Sequence, residues 1–191
     1  MTRIHPIRQN QVRIRPEQVN DYGAIATVHT RAFGQSDQAQ LVEKIRHSNH
    51  YVSDLALVAE VGSQVIGHVL FSYSRVIGQN TWPVLILAPL SVLPNYQNQG
   101  VGCQLVQQGL QIARSLGNSL VTVLGHPRYY SSLGFESACQ FDITPPLPTP
   151  SGVFRVKWLS PLQDQIRGRL EYSPAFASKL KEITDASADL L

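Results

Sequence analysis

Between Val61 and Phe135 the sequence contains no aspartate and no glutamate. Arg75, Arg114 and Arg128 are the only lysine or arginine residues of that stretch. The absence excludes a carboxylate metal site or a pair of catalytic carboxylates there, and it suits an anion. Elsewhere basic and acidic residues balance at 13 each, so the formal net charge of +3 lies in this central segment. Charged residues make up only 15% of the chain, against roughly 25% in an ordinary soluble domain. So slight an excess does not indicate a nucleic-acid binder. Two cysteines, Cys103 and Cys139, exclude a disulfide framework and fit a reducing cytosol. The chain does not open on a basic segment followed by an apolar one. Its most apolar window, Trp82–Leu93, is about a dozen residues with two prolines, where a membrane span needs about 20. The expectation is a soluble cytoplasmic protein without membrane contact.

What is present suffices for one ordinary domain: 191 residues, 43% of them apolar. Val12–Arg15 alternates like a short strand that Pro16 ends. Asn20 or Asp21 caps a following helix, in which Tyr22, Ile25, Val28, His29, Ala32 and Phe33 share one apolar face. Gly34 stops it. A second amphipathic piece carries Leu41, Val42 and Ile45. Leu55–Val61 and Val65–Ile77 read as strands joined at Gly62-Ser63, and Trp82–Leu93 as a strand buried on both faces. Gly100–Leu116 is a long helix ended by Gly117, and Ser119–Leu124 is the next buried strand. Strand, helix, strand in that order predicts a βαβ unit with parallel strands. Pro127 begins a short helix that Gly134 stops. Beyond Cys139, strand-like pieces at Phe141–Thr144, Val153–Leu159 and Arg169–Tyr172 are interrupted by a proline-rich loop at Pro145–Pro150.

The most specific feature is Gln97-Asn98-Gln99-Gly100-Val101-Gly102, set between the buried strand and the long helix. Its glycines allow a tight turn and close approach of a ligand. The first N–H groups of the helix lack partners, and the helix dipole adds partial positive charge. A phosphate fits such a site, and no acid competes for it. A dinucleotide fingerprint fails, since Leu105 fills its third glycine position and no acid follows before Glu136. A P-loop would need Gly-Lys-Ser/Thr, which is absent.

Gln-x-x-Gly-x-Gly after a buried strand resembles the pyrophosphate-binding motif of the GNAT N-acetyltransferases, which use acetyl-CoA. Leu87–Val92 and then Pro94–Gln97 are similar to that family's fourth strand and its exit. Val123–Phe135 resembles the fifth strand and short helix of a bacterial subgroup of predicted N-acetyltransferases. Ala32-Phe33-Gly34, Val58-Ala59-Glu60, Gly67-His68-Val69 and Gly168–Phe176 add to the likeness, which spans about residues 12–177. It implies an α/β GNAT fold: a mixed, mostly antiparallel sheet flanked by helices, with the fourth and fifth strands parallel and splayed. Pro89, which removes a ladder hydrogen bond from a central strand, fits the bulge of the family's fourth strand. The resemblance also implies acetyl-CoA as co-substrate. Its pantetheine arm would lie on the backbone of Ser91, Val92 and Leu93 like an added strand. Its pyrophosphate would sit on Gln97, Gln99, Gly100, Val101, Gly102 and Cys103.

Acetyl transfer needs a neutral amine and a proton for the departing thiolate. Tyr130, four residues before Gly134, matches the tyrosine that family members often use as general acid; the structural alternative is an aromatic packed against the helix or the pantetheine. The family's usual glutamate on the fourth strand is missing. Glu60, His68, His126 and ordered water remain open as the base. His126 sits at the mouth of the fifth strand, and imidazole suits proton transfer at neutral pH. A helix-start role competes for His126, and a satisfied sheet position for His68. Cys103 reads as a small side chain beside the phosphate loop. His47 and His50 lack a third metal ligand. Arg128 is a candidate for a CoA phosphate or an acidic substrate.

The expected organisation is a basic N-terminal arm over 1–11, one GNAT domain over 12–177 and a tail over 178–191. The expected function is direct, acetyl-CoA-dependent acetylation of an amine on a small molecule or peptide. The alternative is a non-catalytic CoA-binding sensor or interaction module. Acetyl-CoA and an amine acceptor are the expected partners, with neither nucleic acid nor membrane, for a monomer or homodimer.

Overall fold

The computed structural model describes residues 11–161 and 166–176, so the arm up to residue 10 and the tail over 178–191 lie outside the described residues. β1 (Arg13–Pro16) leads through a single 3-10 turn into α1 (Tyr22–Phe33). The apolar face of α1 buries Ile25, Val28 and His29, as its spacing predicts. Gly34, at φ 74°, ends the helix by giving its N–H to the Thr30 carbonyl. Asp21 stands at the cap position, but its carboxylate binds Arg15 and the Gln18 N–H and caps nothing in α1.

α2 (Asp37–Arg46) precedes β2 (Tyr51–Val61), β3 (Gln64–Ile77) and β4 (Thr81–Val92). β2 starts four residues before the expected Leu55, because its first residues pair through backbone and bury little, which leaves no apolar signal. α3 (Val101–Ser115), β5 (Leu120–Leu124) and α4 (Pro127–Ser132) follow. β6 (Glu136–Ser137), β7 (Ile143–Thr144), β8 (Phe154–Trp158) and β9 (Gly168–Glu171) complete the described strands. The strand expected over Phe141–Thr144 is shorter. Phe141 ends a 3-10 turn, and Asp142, at φ 55°, breaks the extended backbone before Ile143.

The strand order is β1-β2-β3-β4-β5-β8-β6, with β9 beside β3 and β7 beside β9. β4 and β5 are parallel, as the strand–helix–strand order predicts, whereas β1–β2, β3–β9, β5–β8 and β6–β8 are antiparallel. The parallel ladder is short: it joins Leu85 to Val121 and Ile86 to Thr122, while β4 runs on to Val92. The Ala88–Pro89 peptide within that continuation is cis.

The chain forms two compact units that alternate along the sequence. Of the described residues, the first takes those up to Glu43, then Val52–Phe71 and Leu87–Gly117. In it α3 buries Val101, Leu105, Val106 and Ala113, and its Gly109 makes room for the Phe71 ring. The second takes Lys44–Tyr51, Ser72–Ile86 and the described residues from Asn118 on. In it β5 is held on one side by β4 and on the other by β8, and Thr122 Oγ1 donates to the Leu85 carbonyl at 3.2 Å. Each fully buried Leu, Ile or Phe in these cores contributes about 1.5–3 kcal/mol. No helix of the described residues is long and apolar enough to cross a membrane.

Candidate active site

In the first unit the buried run of β4 ends at Val92, passes a 3-10 turn at Pro94–Tyr96 and enters α3 through Gly100. Asn98 (φ 59°) and Gly100 (φ 84°) take the left-handed conformation that folds the turn back on itself. Gly100 is the cap residue of α3 and accepts the Gln104 N–H at 3.0 Å. No side chain caps this helix, and its first turn holds no acid. The N–H groups of Val101, Gly102 and Cys103 therefore stand without helical partners at the positive end of the dipole. The amides of Gln97 and Gln99 hold the turn in shape. Gln97 Nε2 donates to the Val92 carbonyl (2.9 Å) and Gln99 Nε2 to the Asn95 carbonyl (3.0 Å).

The end of β4 is one edge of the same site. Leu93 gives its N–H to the Ile66 carbonyl of β3 at 2.8 Å. Alternation along a strand then turns the backbone of Ser91 and Leu93 toward β3 and that of Val92 toward the opposite edge. Ser91 is 3% exposed, and its Oγ has no hydrogen-bond partner. A buried hydroxyl left unpaired costs roughly 1–3 kcal/mol. A polar ligand group at this position would satisfy it.

In the second unit α4 starts at Pro127 with His126 as its cap residue. His126 is exposed, and its carbonyl accepts the Tyr130 N–H at 3.2 Å. Tyr130 is 7% exposed, with the rings of Tyr129 and Phe135 edge-on at 4.9 and 5.4 Å. Gly125 gives its ring space, since a Cβ there would lie 2.3 Å from Tyr130 Cε2. Burial pushes the phenol up to about 12. Its hydroxyl thus stays protonated across the neutral range, as a proton donor requires.

The base candidates separate clearly. Glu60 belongs to an ion-pair cluster: Arg15 Nε donates to it at 2.9 Å and Arg13 lies 3.5 Å away. Arg15 also forks onto Asp21 at 2.6 and 2.9 Å, which holds that carboxyl well below the ordinary range. Glu60 is thereby tied to β1 and is not available as a base. His68 is fully buried between Glu17, 3.0 Å from its Nε2, and His29, 2.8 Å from its Nδ1. Sequence reasoning counted His29 as part of an apolar face and passed over Glu17. The available signal was the polar ring itself, because a buried imidazole on an apolar stripe requires a partner. Of the cations in the carboxylate-free stretch, Arg75 is paired with Glu171, and Arg114 and Arg128 are exposed.

Comparison with known proteins gives a consistent picture. The family model for an acetyltransferase (GNAT) domain matches residues 13–138. The uncharacterized N-acetyltransferase YjhQ of Escherichia coli (strain K12) is 39% identical over 132 residues, covering 69% of this chain and 72% of the relative. YhbS of the same strain is 33% identical over 165 residues, 85% of this chain and 97% of its own length. The solved structure of the GNAT family N-acetyltransferase YhbS from Escherichia coli in complex with CoA aligns with a TM-score of 0.82 and 32% identity, over 87% of this chain and 92% of that one. A GNAT family acetyltransferase from Brucella melitensis in complex with acetyl-CoA aligns at 0.71 and 29% identity, over 86% and 97%.

Proposed function

The chain belongs to the GNAT acetyltransferase family, and on that premise we propose that it transfers the acetyl group of acetyl-CoA directly to an amine of a small molecule or peptide. The observation that carries this reading is the acid-free turn at 97–102, which opens α3 with unpartnered N–H groups. The complexes of two relatives with CoA and acetyl-CoA support the same co-substrate here.

When bound, acetyl-CoA supplies an activated acetyl group and a thiol leaving group. The N–H groups of Val101, Gly102 and Cys103 hold the pyrophosphate, with Gly100 allowing its close approach. The outward backbone of Val92 and the hydroxyl of Ser91 hold the arm, in the manner of an added strand. Tyr130 donates a proton to the departing thiolate. His126, exposed at the start of α4, carries protons between this chemistry and solvent. Cys103 serves the phosphate turn, so no acyl-enzyme forms.

Calorimetric titration with CoA and with pantetheine tests the phosphate role. Charge-assisted hydrogen bonds of about 1.5–3 kcal/mol make pantetheine, which lacks the phosphates, at least about tenfold weaker. Equal affinities would remove the turn from the account. One feature favours a second reading, a CoA-binding module without turnover: β4 carries no acid to serve as base.

A further inference from the structure

Three buried polar side chains of the first unit form a continuous chain that the scheme above does not employ. Glu17 lies 3.0 Å from His68 Nε2, and His68 Nδ1 lies 2.8 Å from His29 Nε2. Both imidazoles are fully buried, and so is the Glu17 side chain. A carboxylate only accepts, so His68 Nε2 carries the hydrogen of the first bond and His68 Nδ1 holds a lone pair. His29 Nε2 then donates to that lone pair, and with both rings neutral the accepting end is His29 Nδ1. A proton that arrives there passes along the chain with no ring turning. His29 Nε2 yields its proton to His68 Nδ1, and His68 Nε2 shifts its own toward Glu17.

The register places this chain beside the end of β4. From the Leu93–Ile66 bond, two residues back along β4 and two forward along the antiparallel β3 set His68 across from Ser91, and directly opposed residues share a face. Gly67 confirms the geometry: a Cβ there would lie 3.1–3.3 Å from Leu105, the Ser91 carbonyl and Val101. Gly67 therefore faces α3, and His68 faces the other way, toward α1 and His29. On that face lies Ser91, whose buried hydroxyl has no partner. Around the chain, Phe33 stacks on His29 at 6.4 Å. Asp21 feels the charge of Glu17 and is held by Arg15, which also binds Glu60.

We propose that this chain, given the acetyl-transfer reading on which the idea rests, is the base of the reaction. His29 takes the proton that the amine loses, and His68 and Glu17 are positioning residues that stabilise the imidazolium. As the amine nitrogen bonds to the acetyl carbon, its N–H bond breaks and the proton goes to His29 Nδ1. As the carbon–sulfur bond breaks, the thiolate takes the Tyr130 proton, which solvent replaces. The imidazolium then returns its proton to solvent. β3 and α1 thereby supply what a glutamate on β4 would.

Two readouts test the proposal. In the free protein, 15N spectra of the ring nitrogens of His29 and His68 show one proton shared by both rings. Glu17→Gln keeps the bond from His68 but removes the charge, so the titration midpoint falls by about one pH unit or more. A midpoint that this variant leaves in place, or rings that take up no proton between roughly pH 5 and 9, overturns the relay. The second readout uses labelled acetyl-CoA and the amine that the wild type acetylates best among polyamines, amino acids and peptides. His29→Gln lowers kcat about 100-fold at neutral pH with the affinity for CoA within about twofold. The deficit shrinks as pH approaches the chosen amine's own pKa, about 10.4 for a lysine-type side chain and about 8 for an α-amine. A folded His29→Gln protein with kcat within about threefold of wild type overturns the relay but leaves the acetyl-transfer reading standing. Should His29→Gln not fold, Glu17→Gln decides: a pH–rate profile whose acid limb moves to lower pH supports the relay, and an unmoved limb overturns it. A wild type that binds CoA yet acetylates no amine removes the acetyl-transfer reading, and the base role with it.

Discussion

Tyr130 shows how much a single site depends on its neighbours. Its hydroxyl is raised to about 12 because Gly125, Tyr129 and Phe135 enclose its ring. Removing the hydroxyl removes the proposed general acid, so Tyr130→Phe lowers kcat about 100-fold while KM for acetyl-CoA changes little. The raised value also places the alkaline limb of the wild-type pH–rate profile above the ordinary phenol value of 10.0. Steady-state kinetics from neutral to strongly alkaline pH checks both statements. Asp21 is a structural counterpart. Arg15 lowers its carboxyl below 3.8, so its contribution to stability is present above that value and is lost as pH falls through the lower folded one. Asp21→Asn therefore costs about 2 kcal/mol in urea unfolding at neutral pH, and variant and wild type converge in acid. Tyr130 was legible as a candidate, because the family resemblance implies a tyrosine at this spacing from Gly134. His29 and Glu17 were not, because their link runs through His68, 39 and 51 residues away along the chain.

At the scale of elements, the glycines carry the most testable content. Gly109 faces Phe71 inside the first unit, where a Cβ would approach the ring to 2.3 Å. Gly109→Ala overpacks that contact, and thermal or urea unfolding reads a loss of about 1–3 kcal/mol. The turn into α3 was legible because Gly100 must adopt a left-handed φ that other residues resist, and because no acid fills the helix start. β3 and α3 were equally legible, since their apolar patterns run over ten or more residues. β6 and β7, two residues each, left no period to read and depend on pairing with β8 and β9. The roles of the Gln97 and Gln99 amides were hidden for a related reason: each bonds a carbonyl within five residues, a local geometry that residue type does not reveal.

For the whole molecule, two buried phenols set an alkaline limit. Tyr130 and Tyr172 are both pushed up to about 12 by burial, from 10.0. Both ionise more readily in the unfolded chain, so the stability they protect is complete below pH 10 and is lost as pH rises toward 12. A series of melting temperatures stays level up to that range and then falls, and replacing both tyrosines with phenylalanine flattens the fall. The carboxylate-free stretch from Val61 to Phe135 supplies β3, β4, α3, β5 and α4, so the absence first seen as composition is a property of the elements that carry the proposed chemistry. The same absence leaves β4 without a base. Transfer of label from acetyl-CoA carrying an isotopic acetyl group, followed by mass spectrometry across a panel of amines, tests the central claim most directly. The account predicts a labelled amide and free CoA in equal amounts, with no label retained on the protein. Tight binding of CoA with no labelled amide on any acceptor would contradict it.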